Sequence, residues 1–189
     1  MISEEEWAAR EANRQVAARR APLVDAGVPV DLVDLVFGGK LRMDEGPVKV
    51  AQTTNNRIVV LAGQVGLGKT CAAAVWLCRE VPYGTRRLWV SAPRLARWER
   101  YDDEAMDRLL LASRLVIDEL GVEFADTKGN FQAVLDEVVS TRFSNRRPTL
   151  ITTNLNAEDF KARYGERIAD RIREDGDFHG FTGKSLRQG

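Results

Sequence analysis

One histidine, His179, and two cysteines in 189 residues leave little room for metal or thiol chemistry. No Cys/His cluster has metal-ligand spacing. That excludes His-rich metal centres and any triad that needs two histidines, and it disfavours a Ser-His-Asp hydrolase. Cys71 and Cys78 are seven residues apart. On one helix they would lie about 10 Å apart along the axis, too far for a disulfide. Charge of one sign is also missing: 28 basic residues face 28 acidic ones and the pI is near 6.6. Binding to nucleic acid or to an anionic membrane would therefore need a local patch. Long apolar runs are absent too. The longest, 58–61 and 71–78 (CAAAVWLC), fall far short of the roughly 18 residues a membrane span requires. The opening MISEEEW is acidic, unlike a signal peptide. With only 6 Pro and 15 Gly there is no low-complexity tract. These absences lead to the expectation of a reducing, cytoplasmic protein.

What is present is a globular composition, 44% hydrophobic and 30% charged, at one domain's length. Six of the basic residues are lysine, which leaves 22 arginines suited to bidentate phosphate and carboxylate contacts. Ser3 with Glu6 reads as a capping box at the start of a helical arm that ends before Pro22. Gly and Pro punctuate residues 27–47. From Arg57 onward short β-branched runs alternate with amphipathic stretches. Strands are expected at 58–62, 88–91, 115–117 and 150–152, and weakly at 178–182. Helices are expected near 69–80, 102–111, 129–143 and 165–174. Apolar strands separated by helices indicate a parallel sheet covered on both faces, an α/β fold. The division this predicts is 1–50 as N-terminal helical arm and linker and 51–189 as the main domain.

The first strand runs into GQVGLGKT, residues 63–70, a complete G-x-x-x-x-G-K-[ST] between a strand and a helix. Such a loop turns backbone N–H groups toward phosphate oxygens, and the helix dipole faces the same anion. The expected binding residues are Gly63, Gln64, Val65, Gly66, Leu67, Gly68, Lys69, Thr70 and Cys71. Lys69 would reach the β- and γ-phosphates of ATP, and Thr70 would offer its hydroxyl to Mg²⁺. The run LVIDE, 115–119, is an apolar strand ending in two carboxylates, at the edge where open parallel sheets bind ligands. Asp118 would hold Mg²⁺, largely through water, and Glu119 would polarise the attacking water. Asn154 ends the strand LITT, where it would orient water or touch the γ-phosphate; a turn-forming role before Asn156 is the alternative.

Together with that loop, LVIDELG (115–121), RRPTLITTNL (146–155), YGERIADRI (164–172) and the closing GKSLR (183–187) resemble the DnaC/IstB family of AAA+ ATPases. The resemblance covers roughly residues 57–187. It implies a P-loop NTPase with an AAA+ core, self-association through ATP sites, Asp118–Glu119 as Walker B and Asn154 as sensor 1. Arg171 and then Arg167 match the arginines that reach a neighbour's γ-phosphate; both sit on one helical face, where intrahelical pairs such as Arg171 with Glu174 are the alternative. It implies an ATPase of DNA replication acting on a replicative helicase and single-stranded DNA. A transposition helper, or a nucleotide-gated binding module with little hydrolysis of its own, fits the same motifs. Candidate DNA contacts are Arg94, Arg97, Trp98, Arg100 and Tyr101, then Arg142, Arg146 and Arg147, and the loop 122–129 with Phe124, Thr127 and Lys128.

Overall fold

Five short strands form one sheet in the order β2-β3-β4-β1-β5, every neighbouring pair parallel. They are β1 (Ile58–Gly63), β2 (Arg87–Ser91), β3 (Arg114–Leu120), β4 (Thr149–Thr153) and β5 (Gly176–Phe181). The computed structural model describes residues 3–39, 41, 46–79, 85–97, 103–123 and 130–186. The central strands read as unbroken apolar runs because both faces are covered, as β1 shows with Ile58 to Ala62 all buried.

The helices between the strands form the two outer layers. On one face α4 (Lys69–Cys78) packs with α2 (Val30–Phe37) and α3 (Gly46–Thr53). There Val59, Leu61, Trp76 and Val116 share a core with Leu23, Ala26, Val28, Val33, Val48 and Ala51. On the other face α6 (Asp103–Leu111), α7 (Asn130–Ser144), α8 (Ala157–Tyr164) and α9 (Glu166–Asp175) cover Ile58, Val60, Ile117 and Ile151. The short α5 (Ala92–Leu95) follows β2. Among the described residues, no helix is long and apolar enough to cross a membrane.

The first helix, α1 (Glu4–Asp25), begins as expected. Ser3 accepts from the Glu6 backbone N–H, and Glu6 reaches back to the Ser3 N–H. It does not stop before Pro22; Pro22 lies inside it. The proline removes one hydrogen bond in the last turn, but Leu23 and Ala26 are buried and hold the continuation on the domain. The preceding turns stand in solvent, with Trp7 61% exposed.

Candidate nucleotide site

β1 delivers the chain to the phosphate loop, and β5 lies against the loop's first residue. Gly63 is the register partner of Phe181, and a Cβ on Gly63 would collide with the Phe181 carbonyl oxygen. Gly66 has φ +90° and lies under Ser185, so a side chain there is excluded twice over. Leu186 N–H donates to Gly66 O at 2.9 Å, which straps residues 183–186 across the loop. Gln64 and Val65 are exposed, whereas Leu67 is buried and anchors the loop from below.

Gly68 caps α4, whose first residues are Lys69, Thr70 and Cys71. Lys69 is 8% exposed. Its Nζ donates to Gly63 O at 2.6 Å, to Gln64 O at 2.8 Å and to Asn154 Oδ1 at 3.1 Å. The ammonium thus joins the loop to the tip of β4, and the expected Lys69 and Asn154 come together across 85 residues of sequence.

β3 lies beside β4 and carries the two carboxylates. The ladder between them is regular to Ile117 and resumes only at Leu120, so Asp118 and Glu119 occupy an irregularity at the strand's end. Glu119 has φ +60°, a left-handed conformation uncommon outside glycine, and its side chain is exposed. Thr152 holds both residues in place. Its hydroxyl donates to Asp118 Oδ1 at 2.6 Å and accepts from the Glu119 N–H at 2.9 Å. Burial lifts the Asp118 carboxyl to about 6, against hydrogen bonds from Thr152 and Thr70 and with the Glu119 charge adding to the rise. Thr70 and Asp118 are therefore neighbours, an oxygen donor set that suits a hard divalent cation.

The raised Asp118 value makes stability depend on pH. Between about pH 4 and 6 the folded carboxyl keeps a proton that the unfolded one has lost, so this group's contribution favours folding more as pH falls through 6. Above pH 6 the buried charge lowers stability by a steady amount, on the order of 2–3 kcal/mol. Asp118→Asn is expected to raise the thermal midpoint of the nucleotide-free protein at pH 8. Melts at successively lower pH should show the gap narrowing and nearly closing by about pH 4; a gap that does not change with pH would contradict the assignment.

Sequence reasoning missed Thr152, and it missed a second support behind it. Glu123, 4% exposed, accepts from Gly121 N–H at 2.7 Å, Tyr164 Oη at 2.6 Å and Arg163 Nη2 at 2.8 Å. Burial, and then the Glu123 carboxylate, push the Tyr164 phenol far up. This cluster ties the segment after β3 to the junction of α8 and α9. The signal for Thr152 was a run of threonines in a fully buried strand, TLITT. Glu123 gave none, since its side-chain partners Arg163 and Tyr164 lie 40 and 41 residues away.

The two arginines of α9 differ in their surroundings. Arg167 is 67% exposed and meets Asp136 at 3.2 Å. The guanidinium of Arg171 lies 5.0 Å from the Phe143 ring centre and pairs with Glu174 at 2.9 Å. Among the candidate DNA contacts, Arg94, Arg97 and Arg146 are exposed. Arg142 is fully buried and bonded to protein carbonyls, so it cannot reach a strand and that expectation is corrected. Trp98, Arg100, Tyr101, Phe124, Thr127, Lys128 and Arg187 lie outside the described residues.

No protein-family model matches the chain. In sequence it is 36% identical over 73 residues to the replicative helicase loader DnaC of Escherichia coli K12, across 38% of this chain and 29% of DnaC. It is 34% identical over 122 residues to YdaV of the same strain, across 61% of this chain and 48% of YdaV. The chain spans less than half the length of these curated relatives. A crystal structure of the DnaC helicase loader superposes with a TM-score of 0.59 at 21% identity, covering 72% of this chain and 86% of that one. AMPPCP-bound DnaA from Aquifex aeolicus superposes with a TM-score of 0.59 at 15% identity, covering 75% of this chain and 46% of that one. The strand order and these likenesses identify the fold as a P-loop AAA+ core, as the motifs implied.

Proposed function

We propose that this chain, a DnaC-like AAA+ protein, binds ATP with Mg²⁺ at residues 63–71 and hydrolyses it to act on a replicative helicase and single-stranded DNA. The observation that carries the reading is the convergence of Lys69, Asn154 and the Asp118–Glu119 turn at one end of the sheet. The resting contacts of Lys69 are to loop carbonyls, and exchanging them for phosphate oxygens returns a full negative charge to the ammonium. Thr70 and Asp118 would hold Mg²⁺, which when bound neutralises charge on the phosphates. Among the described residues no group of three or more His, Cys, Asp or Glu could hold a metal ion, so the remaining ligands would be phosphate oxygens and water.

Glu119 would take a proton from a water whose oxygen bonds to the γ-phosphorus as the γ-phosphorus bond to the β–γ bridging oxygen breaks; ADP leaves with that oxygen, and the γ-phosphoryl group leaves as inorganic phosphate. Asn154 would steady that water or the γ-phosphate. The remaining charge calls for a guanidinium from a neighbouring copy, and the two candidates are Arg167 and Arg171. We favour Arg167 on accessibility, because it stands in solvent while Arg171 is packed on Phe143. The solvent-facing turns of α1, with Trp7 and Val16, would offer the surface for the helicase.

The test is ATP turnover of the full chain with a replicative helicase and single-stranded DNA, in wild type and in Arg167→Ala and Arg171→Ala. Arg167→Ala is expected to keep ATP affinity and lose about 10³-fold or more of the stimulated rate. Full turnover by Arg167→Ala at high protein concentration would remove it from this role. Stimulation by neither helicase nor single strand would remove the replication partners.

A further inference from the structure

At the far end of the sheet from the phosphate loop, three guanidinium groups converge. Arg87 opens β2, Arg114 opens β3, and the two are register partners. Two residues along each strand, Trp89 and Val116 lie in the core on the α4 side, so Arg87 and Arg114 point to that side as well. Arg79 follows α4 directly as its C-cap. The Arg114 guanidinium lies 5.1 Å from the Trp76 ring centre and donates to Trp76 O at 2.7 Å. Arg79 donates to Thr54 O and, at 3.0 Å, to Asn55 Oδ1. Arg87 reaches Arg79 O at 3.5 Å, and its enclosed Nε has no hydrogen-bond partner.

Every acceptor named is a neutral oxygen. Among the described residues no ion pair involves any of the three. The C-terminus of α4 contributes about half a negative charge, against three full positive ones. Like charges side by side on neighbouring strands lower stability. Burial brings Arg114 down to about 10, with the neighbouring Arg79 and Arg87 charges adding to the fall. Arg87 also lines a cleft of about 660 Å³ with Arg86 and Arg108. Asp25, Glu104 and Asp107 line it too, so the surplus positive charge is concentrated where Arg87 meets Arg79 and Arg114.

The geometry points to a second oxyanion site, formed by Arg79, Arg87 and Arg114, that takes a phosphate group. It lies at the amino ends of β2 and β3, a strand's length from the nucleotide site, roughly 15 Å or more away. Planar guanidiniums bind phosphate oxygens in pairs, and a doubly charged phosphate would convert the repulsion into mutual attraction. The phosphate could belong to a nucleic-acid strand or be free in solution, and the chemistry of the site is the same.

The experiment uses the full chain with Lys69→Ala, which removes phosphate binding at the loop. Its thermal midpoint is measured in sodium phosphate and in sodium chloride at matched ionic strength. Phosphate is expected to raise the midpoint by about 2–4 °C. Adding Arg87→Gln should abolish that rise and increase the midpoint in chloride, where the repulsion is relieved. Arg87→Lys, which keeps the charge but loses the fork, should retain only part of the rise and provides a second variant should the first fold poorly. No rise in phosphate, or a rise unchanged by Arg87→Gln, overturns the site. A single-stranded oligonucleotide titrated into the same proteins identifies the source. Weaker binding on Arg87→Gln assigns the site to a strand's backbone; unchanged binding, with the phosphate response lost, assigns it to free phosphate.

Discussion

Replacing Arg142 by alanine is expected to lower stability by about 3–5 kcal/mol, a large part of what a domain this size has. The side chain is fully buried on α7, and among the described residues it has no ion pair with a carboxylate. Its Nη1 donates to Leu109 O and Ala112 O, both at 2.7 Å, and its Nη2 to Pro148 O at 2.7 Å. Its Nε donates to Thr149 Oγ1 at 2.8 Å. One guanidinium thus joins the end of α6, the entry to β3 and the entry to β4. Burial brings Arg142 down to about 9, with Arg147 adding to the fall, and it remains charged at neutral pH. Truncation takes the Arg142 bonds from Leu109 O and Ala112 O and leaves Pro148 O with the Leu115 N–H at 3.2 Å; a buried oxygen left unpaired costs about 1–3 kcal/mol. Urea unfolding of Arg142→Ala, with Arg142→Met as the variant that refills the volume, should show both strongly destabilised. A loss under about 1 kcal/mol would mean that water replaces these bonds.

Glu119→Gln is expected to cut ATP turnover by about 10²–10⁴-fold while leaving ATP affinity nearly unchanged, since only the proton acceptor is lost. Glu119→Gly separates chemistry from backbone. It should be equally inactive but more stable by roughly 1 kcal/mol, because glycine adopts φ +60° without strain. Turnover and urea midpoints measured on both variants test the two halves. Wild-type turnover in Glu119→Gln would move the base elsewhere, and a less stable Glu119→Gly would show that the turn is not strained.

β1 to β4 were legible because they are short apolar runs with β-branched residues, whereas β5, GDFHGF, has none and read only weakly; the loop was legible because its motif leaves little freedom. β3 was legible through Glu119, but not the break in its ladder after Ile117 or its continuation to Leu120. Arg142 was misread as a surface charge, although it continues the apolar stripe Phe131, Val134, Leu135, Val138, Val139 at helical spacing. Residues 27–47 read as a segment punctuated by Gly and Pro, yet Val28 and Val33 are buried against α4 and β1. Helices of eight residues, such as α2 and α3, are too short to display a helical period clearly. The Glu123–Arg163–Tyr164 cluster is a product of tertiary contact and has no local pattern.

The central claim is that residues 63–71 hold a polyphosphate. Calorimetric titration of the full chain with ATP and Mg²⁺, wild type against Lys69→Ala, tests it most directly. Saturable binding by the wild type, weakened about 10- to 100-fold in the variant, is the predicted result. Equal affinity in the two proteins would contradict it.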